Sequence, residues 1–148
     1  MKNLKSLEEN LDELQKRMQK IKKENMAEEN FLHSGEMSLI KFIAHYHHRF
    51  DKAPTLVKIS QVIGISGATA TTLADRLIKK GLIEKKSSPD DKRAKLLSLT
   101  PKGEEYLMSN RTRHKEMLLK LTSSLGKEDT KELNRIIEKI NDHLENEK

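Results

Sequence analysis

Leu56-Val57-Lys58-Ile59-Ser60-Gln61-Val62-Ile63-Gly64-Ile65-Ser66-Gly67-Ala68-Thr69-Ala70-Thr71-Thr72-Leu73-Ala74-Asp75-Arg76-Leu77 is the stretch whose reading decides the fold. Leu56, Ile59 and Ile63 recur at the three-and-four spacing of one helical face. Gly64 follows, and glycine enters the left-handed conformation that ends a helix without steric cost. Ser66 offers a hydroxyl to the free N–H groups opening a second helix. That helix buries Ala70, Leu73, Ala74 and Leu77, and Gly81 stops it. Leu82-Ile83-Glu84-Lys85-Lys86 then reads as a strand and Ser87-Ser88-Pro89-Asp90-Asp91 as a turn. Residues 92–99 return, with Leu97 and Leu99 in alternation. Helix, sharp turn, helix and basic two-stranded hairpin is the layout of a winged helix-turn-helix.

The second helix leaves Gly67, Ala68, Thr69, Thr71, Thr72, Asp75 and Arg76 on its open face. Small side chains near a helix N-terminus permit close approach to base edges in a major groove. Ala68 and the threonine methyls suit thymine methyls, and the hydroxyls suit phosphate or base acceptors. The plainer reading is that small residues fit a crowded turn. Arg76 reads as a phosphate contact or as the partner of Asp75 or another acid. Lys85, Lys86, Lys92, Arg93 and Lys95 make the hairpin a compact cationic ribbon. An arginine at its tip suits a narrow minor groove, where negative potential is enhanced.

At these residues the chain resembles the MarR/SlyA transcriptional regulators. Gly64-Ile65-Ser66 with Thr69, Thr71 and Leu77 resembles their turn and recognition helix, and Lys80-Gly81-Leu82-Ile83 their helix-to-wing junction. Asp91-Lys92-Arg93-Ala94 and Leu99-Thr100-Pro101-Lys102-Gly103 resemble their wing tip and the start of the next helix. Asp-x-Arg followed by Leu-Thr-x-x-Gly is fairly specific as a combination. Lys92 stands where members often carry arginine; lysine keeps the attraction to phosphate and lacks the flat bidentate fork. The resemblance implies a homodimeric, sequence-specific regulator of transcription, in the repressing sense, on a pseudo-palindromic operator in double-stranded DNA. The expected DNA contacts are Ser66, Gly67, Ala68, Thr69, Thr71, Thr72 and Arg76 on the helix, and Lys85, Lys86, Ser88, Lys92 and Arg93 on the hairpin. Asp91 is expected to hold the hairpin in shape.

The gross numbers agree with that expectation. Of 148 residues, 34% are hydrophobic and 35% charged, below and above the globular average respectively. A lone chain with that balance has a thin core, so long helices burying their stripes against a second copy repair the deficit. Net charge +6 and a pI near 9.4 favour a polyanionic partner. With no cysteine, there is no disulfide, thiolate zinc site or thiol redox switch. No apolar run approaches the ~20 residues that span a bilayer. Met1-Lys2-Asn3-Leu4 lacks the apolar core of a signal peptide, so a cytoplasmic location without a membrane partner is expected.

The flanks read as frame. Residues 2 to 25 form one helix with Leu4, Leu7, Leu11, Leu14, Met18 and Ile21 in a coiled-coil seam, its acids lying toward the N-terminus. Residues 25–32 connect to a helix capped by Ser34, with Met37, Ile40, Ile43 and Ala44 inward. Phe42, Tyr46 and Phe50 wall a cavity or simply fill core. His45 and His48 share a face with metal-ligand spacing, but exposed histidines near a helix C-terminus need no metal. Thr100 caps a further helix with Pro101 in its first turn and a stripe of Leu107, Arg111, His114, Leu118 and Leu121. After Leu125-Gly126 a last helix carries a second seam, Leu133, Ile136, Ile137, Ile140 and Leu144. Two seams of this kind outline a two-fold dimer.

The expected fold is mainly α (α+β): a winged helix-turn-helix lobe with a two-stranded wing over residues 33–100, and N- and C-terminal dimerisation helices over 1–32 and 101–148. Together these make a single MarR-type domain over 1–148. A small anionic or phenolic effector is implied by resemblance only, beside His45, Tyr46, Arg111 and His114. No cofactor and no metal are expected. The alternative is a winged-helix module that grips another protein, against which the basic wing argues. Catalysis is not expected: there is no Gly-rich phosphate loop, and Gly64-x-Ser66 lacks the second glycine of a nucleophile elbow.

Overall fold

Three hydroxyl residues set the starts of the central helices. In the computed structural model, Thr55 Oγ1 accepts the Lys58 N–H at 3.1 Å, Ser66 Oγ the Thr69 N–H at 3.1 Å and Thr100 Oγ1 the Gly103 N–H at 3.0 Å. Each cap relieves a donor that the first helical turn leaves unpaired, a contribution of about 1 kcal/mol. The structure describes residues 2–24 and 31–146. Most of the expected connection at 25–32 therefore lies outside the described residues. The elements are α1 (Lys2–Glu24), α2 (Ser34–Phe50), α3 (Leu56–Ile63), α4 (Gly67–Lys79), β1 (Ile83–Ser87), β2 (Lys95–Leu99), α5 (Pro101–Ser123) and α6 (Gly126–Asn146). This is the expected winged lobe within a helical frame.

Between α3 and α4, Gly64 takes φ 76° and its N–H returns to Ser60 O at 3.0 Å. The resulting sharp turn lets both helices pack on α2. The core is Leu39, Ile40 and Ile43 from α2, Ile59 from α3, Ala70, Ala74 and Leu77 from α4, and Leu82, Ile83 and Leu97 from the wing root. β1 and β2 pair antiparallel from Ile83 opposite Leu99 to Ser87 opposite Lys95. The wing edge gains a short third partner: Thr55 bridges Leu96, and the Leu97 N–H donates to Pro54 O at 3.0 Å.

Several expectations need correction. Ser34 does not cap α2; it is already helical, and extended His33 precedes it without a side-chain bond to the turn. The returning strand begins at Lys95 because the Ala94 N–H bonds Asp91 O at 3.0 Å and the Ser88 N–H bonds Ala94 O at 3.0 Å. Lys92 and Arg93 consequently belong to the turn, while Ser87 belongs to the ladder. No acid stands in the first turn of α1, where the helix dipole would reward it. Phe42, Tyr46 and Phe50 stack along α2, with ring centroids 5.8 and 4.7 Å apart, and line none of the cavities described below.

The stripe on α5 is also rotated from the expected one. Tyr106, Leu107, Asn110, Arg113, Met117 and Leu121 are half-buried, whereas Arg111, His114 and Leu118 are exposed. Gly103 accounts for the setting: a Cβ there would stand 2.0 Å from the Leu82 carbonyl oxygen, so only glycine lets the helix approach this closely. Leu4, Leu7, Leu11 and Leu14 of α1 and the whole α6 seam remain exposed in the single chain. No helix among the described residues is long and apolar enough to cross a membrane.

Gly103→Ala should therefore destabilise the fold by about 3 kcal/mol, the upper range for overpacking. Gly67→Ala, where an added Cβ meets nothing within 4 Å, should stay within about 0.5 kcal/mol of the parent. Urea unfolding of both variants checks the contrast. Burial raises the Tyr106 phenol above its ordinary range, with Arg113 and the Leu32 backbone opposing. The unfolded chain thus loses that proton first, and stability falls as pH climbs past the unfolded phenol value near ~10. In a Tyr46→Phe variant Tyr106 is the sole tyrosine. Ultraviolet titration should then place its midpoint above that of the unfolded chain.

Candidate nucleic-acid interface

The open end of α4 is built by its cap. Ser66 Oγ accepts the Thr69 N–H and donates its own proton to Thr69 Oγ1 at 2.9 Å. Thr71 Oγ1 donates to Gly67 O at 2.9 Å and Thr72 Oγ1 to Ala68 O at 3.0 Å. These hydroxyl protons are spent within the helix. Oxygen lone pairs and methyl groups are what Thr71 and Thr72 have left to offer, whereas Thr69, which accepts from Ser66, keeps its hydroxyl proton. Ser66, Gly67, Ala68, Thr69, Thr71 and Thr72 are all exposed, forming one continuous low surface. Methyl contact, close backbone approach and donation from Thr69 are the chemistry such a surface supports; donation from Thr71 or Thr72 first requires breaking a bond inside the helix.

Beside it stands the wing. Asp91 Oδ1 accepts the Arg93 N–H at 2.9 Å, closing an Asx-type turn that presents Lys92 and Arg93 at the tip, both exposed. Ser88 is half-buried in the same turn, and its Oγ accepts a long 3.4 Å contact from the Asp90 N–H. Strand alternation puts Lys85 and Lys86 on opposite faces of the ribbon. Lys86 Nζ lies 3.0 Å from Glu84, a surface pair of little strength that leaves the cation available to a phosphate. Lys95 Nζ donates to Ser87 Oγ at 2.9 Å across the ladder.

Arg76 sits apart from the small-residue end, two turns farther along. Its Nη1 is 4.0 Å from a carboxylate, but that of Glu36 on α2, not of Asp75. Glu36 is 1% exposed and also receives Lys80 Nζ at 2.7 Å. Sequence reading allowed Arg76 an unnamed acid and gave Lys80 none; Glu36 was named for neither. The only signal was an acid at position 36, one place before an apolar run, and nothing local shows that it turns inward.

The four expected effector residues do not come together. His114 lines a cavity of about 610 Å³ between α1, α2 and α5, with Leu14, Met18, Met37 and Met117 as its apolar wall. The cations there are Lys22, Lys41 and Arg113. Arg111 lines a separate cavity with His47, His48, Glu84 and Glu104. His45 and Tyr46 line neither. Neighbouring positions on a helix diverge by about 100°, so the rotated setting of α5 exchanges Arg111 for Arg113. Among the described residues no three histidine, aspartate or glutamate side chains gather as metal ligands.

Known proteins resemble this arrangement. The pattern of the MarR family matches residues 51–95, which hold α3, α4 and the start of the wing's return. Transcriptional repressor MprA of Escherichia coli (strain K12) is 31% identical over 109 residues, 74% of this chain and 60% of that protein. The chain spans about three fifths of the length of the curated relatives it matches. The crystal structure of YusO protein from Bacillus subtilis superposes with a TM-score of 0.74 at 21% identity, covering 92% of this chain and 94% of that one. The S. aureus MepR–DNA complex gives a TM-score of 0.62 at 21% identity, over 91% and 93%. A match centred on the capped turn, the open helix and the wing, with the helical frame shared beyond it, means that this chain belongs to the MarR family of winged-helix proteins.

Proposed function

We propose that the chain is a homodimeric, cytoplasmic transcriptional regulator, a repressor, that binds a pseudo-palindromic operator in double-stranded DNA. The observation that carries this reading is the pairing of a low, exposed α4 N-terminus with a cationic turn at Lys92 and Arg93. The first matches the depth of a major groove and the second the potential of the adjoining minor groove. Two related proteins lend support by name: MprA is described as a transcriptional repressor and MepR was solved with DNA. The exposed seams of α1 and α6 supply the surface for a second copy, whose two-fold symmetry sets the recognition helices about one helical turn, ~34 Å, apart.

In this reading Gly67, Ala68, Thr69, Thr71 and Thr72 meet base edges, and Ser66 chiefly preserves the helix start. Lys85, Lys86, Ser88, Lys92 and Arg93 bind backbone or minor groove, and Asp91 keeps the tip folded. A small anionic or phenolic effector would enter the cavity between α1, α2 and α5, where His114 and Arg113 face a methionine-rich wall. It acts only through a difference in affinity between two spacings of the wings.

Binding of operator fragments selected from genomic DNA should weaken steeply with salt. Arg93→Ala should lower affinity about tenfold and flatten the salt slope by about one charge. Fluorescence anisotropy across a salt series measures both; equal affinity for random duplex removes the sequence-specific reading. Sedimentation at micromolar concentration should give the dimer mass. Ile137→Glu, placing a charge in the α6 seam, should shift it toward the single chain.

A further inference from the structure

Glu36 is the one buried charged side chain among the described residues, and both of its cationic partners lie on α4 or its C-cap. We infer that Glu36 is a positioning residue for DNA recognition: from α2 it grips the C-terminal end of α4 and so fixes the direction of the helix whose far end meets DNA. This rests on the proposed reading of α4 as the recognition helix.

The need for such a grip follows from the packing. α4 buries Ala70, Ala74 and Leu77, a face with little relief to interlock with its neighbours. Leu73 and Ile78 pack at its margins, Leu73 lying over Gly35, where even a Cβ would stand 3.3 Å from the leucine. Apolar contact of this kind is non-directional. A short charge-assisted hydrogen bond is directional, and Lys80 Nζ to Glu36 Oε2 measures 2.7 Å. Lys80 also donates to Phe31 O at 3.3 Å, and its own carbonyl accepts Lys102 Nζ at 3.0 Å. Arg76, four residues earlier on the same face, brings Nη1 to 4.0 Å from the other carboxylate oxygen. The 13 residues of α4 span about 20 Å. A 10° swing about the gripped end displaces the other by about 3 Å, the full length of a hydrogen bond. Burying charge costs free energy that a well-packed apolar pair would not, so what the ion pair adds is direction.

The test separates direction from stability. Glu36→Ala alone strands Lys80 and can unfold the lobe, so the informative variant is Glu36→Met with Lys80→Met, which removes both charges and keeps volume. Because the chain has no cysteine, Asp75→Cys and His45→Cys introduce a selective spin-label pair on α4 and α2. Labelled chains are diluted into unlabelled ones so that only the intrachain distance is read. The expected result is an unchanged or higher melting temperature, an Asp75–His45 distance distribution at least twofold broader, and a tenfold or greater loss of operator-over-random discrimination. A distribution as narrow as that of the parent overturns the inference, as does parental discrimination. If the parent itself shows no discrimination, the regulator reading fails, and the distance widths alone decide the role of Glu36.

Discussion

The segment that leaves α4 is bonded to the N-terminal end of α5, although the whole wing lies between them in sequence, and the lobe depends on that junction. A helix leaves its last carbonyls unpaired and its first N–H groups unpaired. Here the Arg76, Leu77 and Ile78 carbonyls are taken by the Lys80, Leu82 and Gly81 N–H groups, and the carbonyls of those three following residues accept from the cap and first turn of α5. Lys80 O accepts Lys102 Nζ at 3.0 Å, Gly81 O accepts Thr100 Oγ1 at 2.6 Å and Leu82 O accepts the Thr100 N–H at 3.1 Å. The negative end of one dipole faces the positive end of the next. Gly103 makes the approach possible, because no Cβ fits against Leu82 O. The frame helix and the helix that carries the open surface therefore share one joint.

What α4 presents beyond that joint is a surface of low relief. The Thr71 and Thr72 hydroxyls turn back onto the Gly67 and Ala68 carbonyls, so fit, methyl contact and the Thr69 hydroxyl carry the selectivity of the proposed interface. The cations sit elsewhere, on the wing, where Asp91 folds the tip through the Arg93 N–H. Division of labour between a shape-reading helix and a charge-bearing ribbon matches the general separation of base contacts from phosphate contacts. Glu36 belongs to the same logic from the inner side, since a smooth apolar face needs a directional bond to hold one orientation.

The helical frame raises a different balance. Leu133, Ile136, Ile137, Ile140 and Leu144 are between 42% and 56% exposed in the single chain, along with four leucines of α1. Each leucine or isoleucine fully buried contributes roughly 1.5–3 kcal/mol, so covering these stripes outweighs anything the exposed ion pairs of the same helices supply. Beyond the buried core of the lobe, the terminal helices of a chain with 35% charged residues keep their apolar side chains in two narrow lines. That economy is consistent with the proposed two-fold dimer and not with a self-sufficient single chain.

Sequence by itself determined the features whose causes lie within a few residues. Gly64 ends α3 because only its own backbone must turn left-handed, and Ser66 and Thr100 start helices because their acceptors reach three residues ahead. The Asp91–Arg93 bond is local in the same way, and the seams of α1 and α6 follow from periodicity alone. Tertiary structure decided what depends on how finished elements meet. Glu36 and Lys80 are 44 residues apart, and an acid in a first helical turn reads equally well as a solvent-facing one. The face that α5 turns inward was set by the clearance at Gly103, which replaced Arg111 with Arg113 beside His114 and dispersed the expected effector group. Spacing along a helix fixes which residues share a face. Only contact with the rest of the chain chooses which face is buried, because that choice is made by close approach and burial between segments distant in sequence.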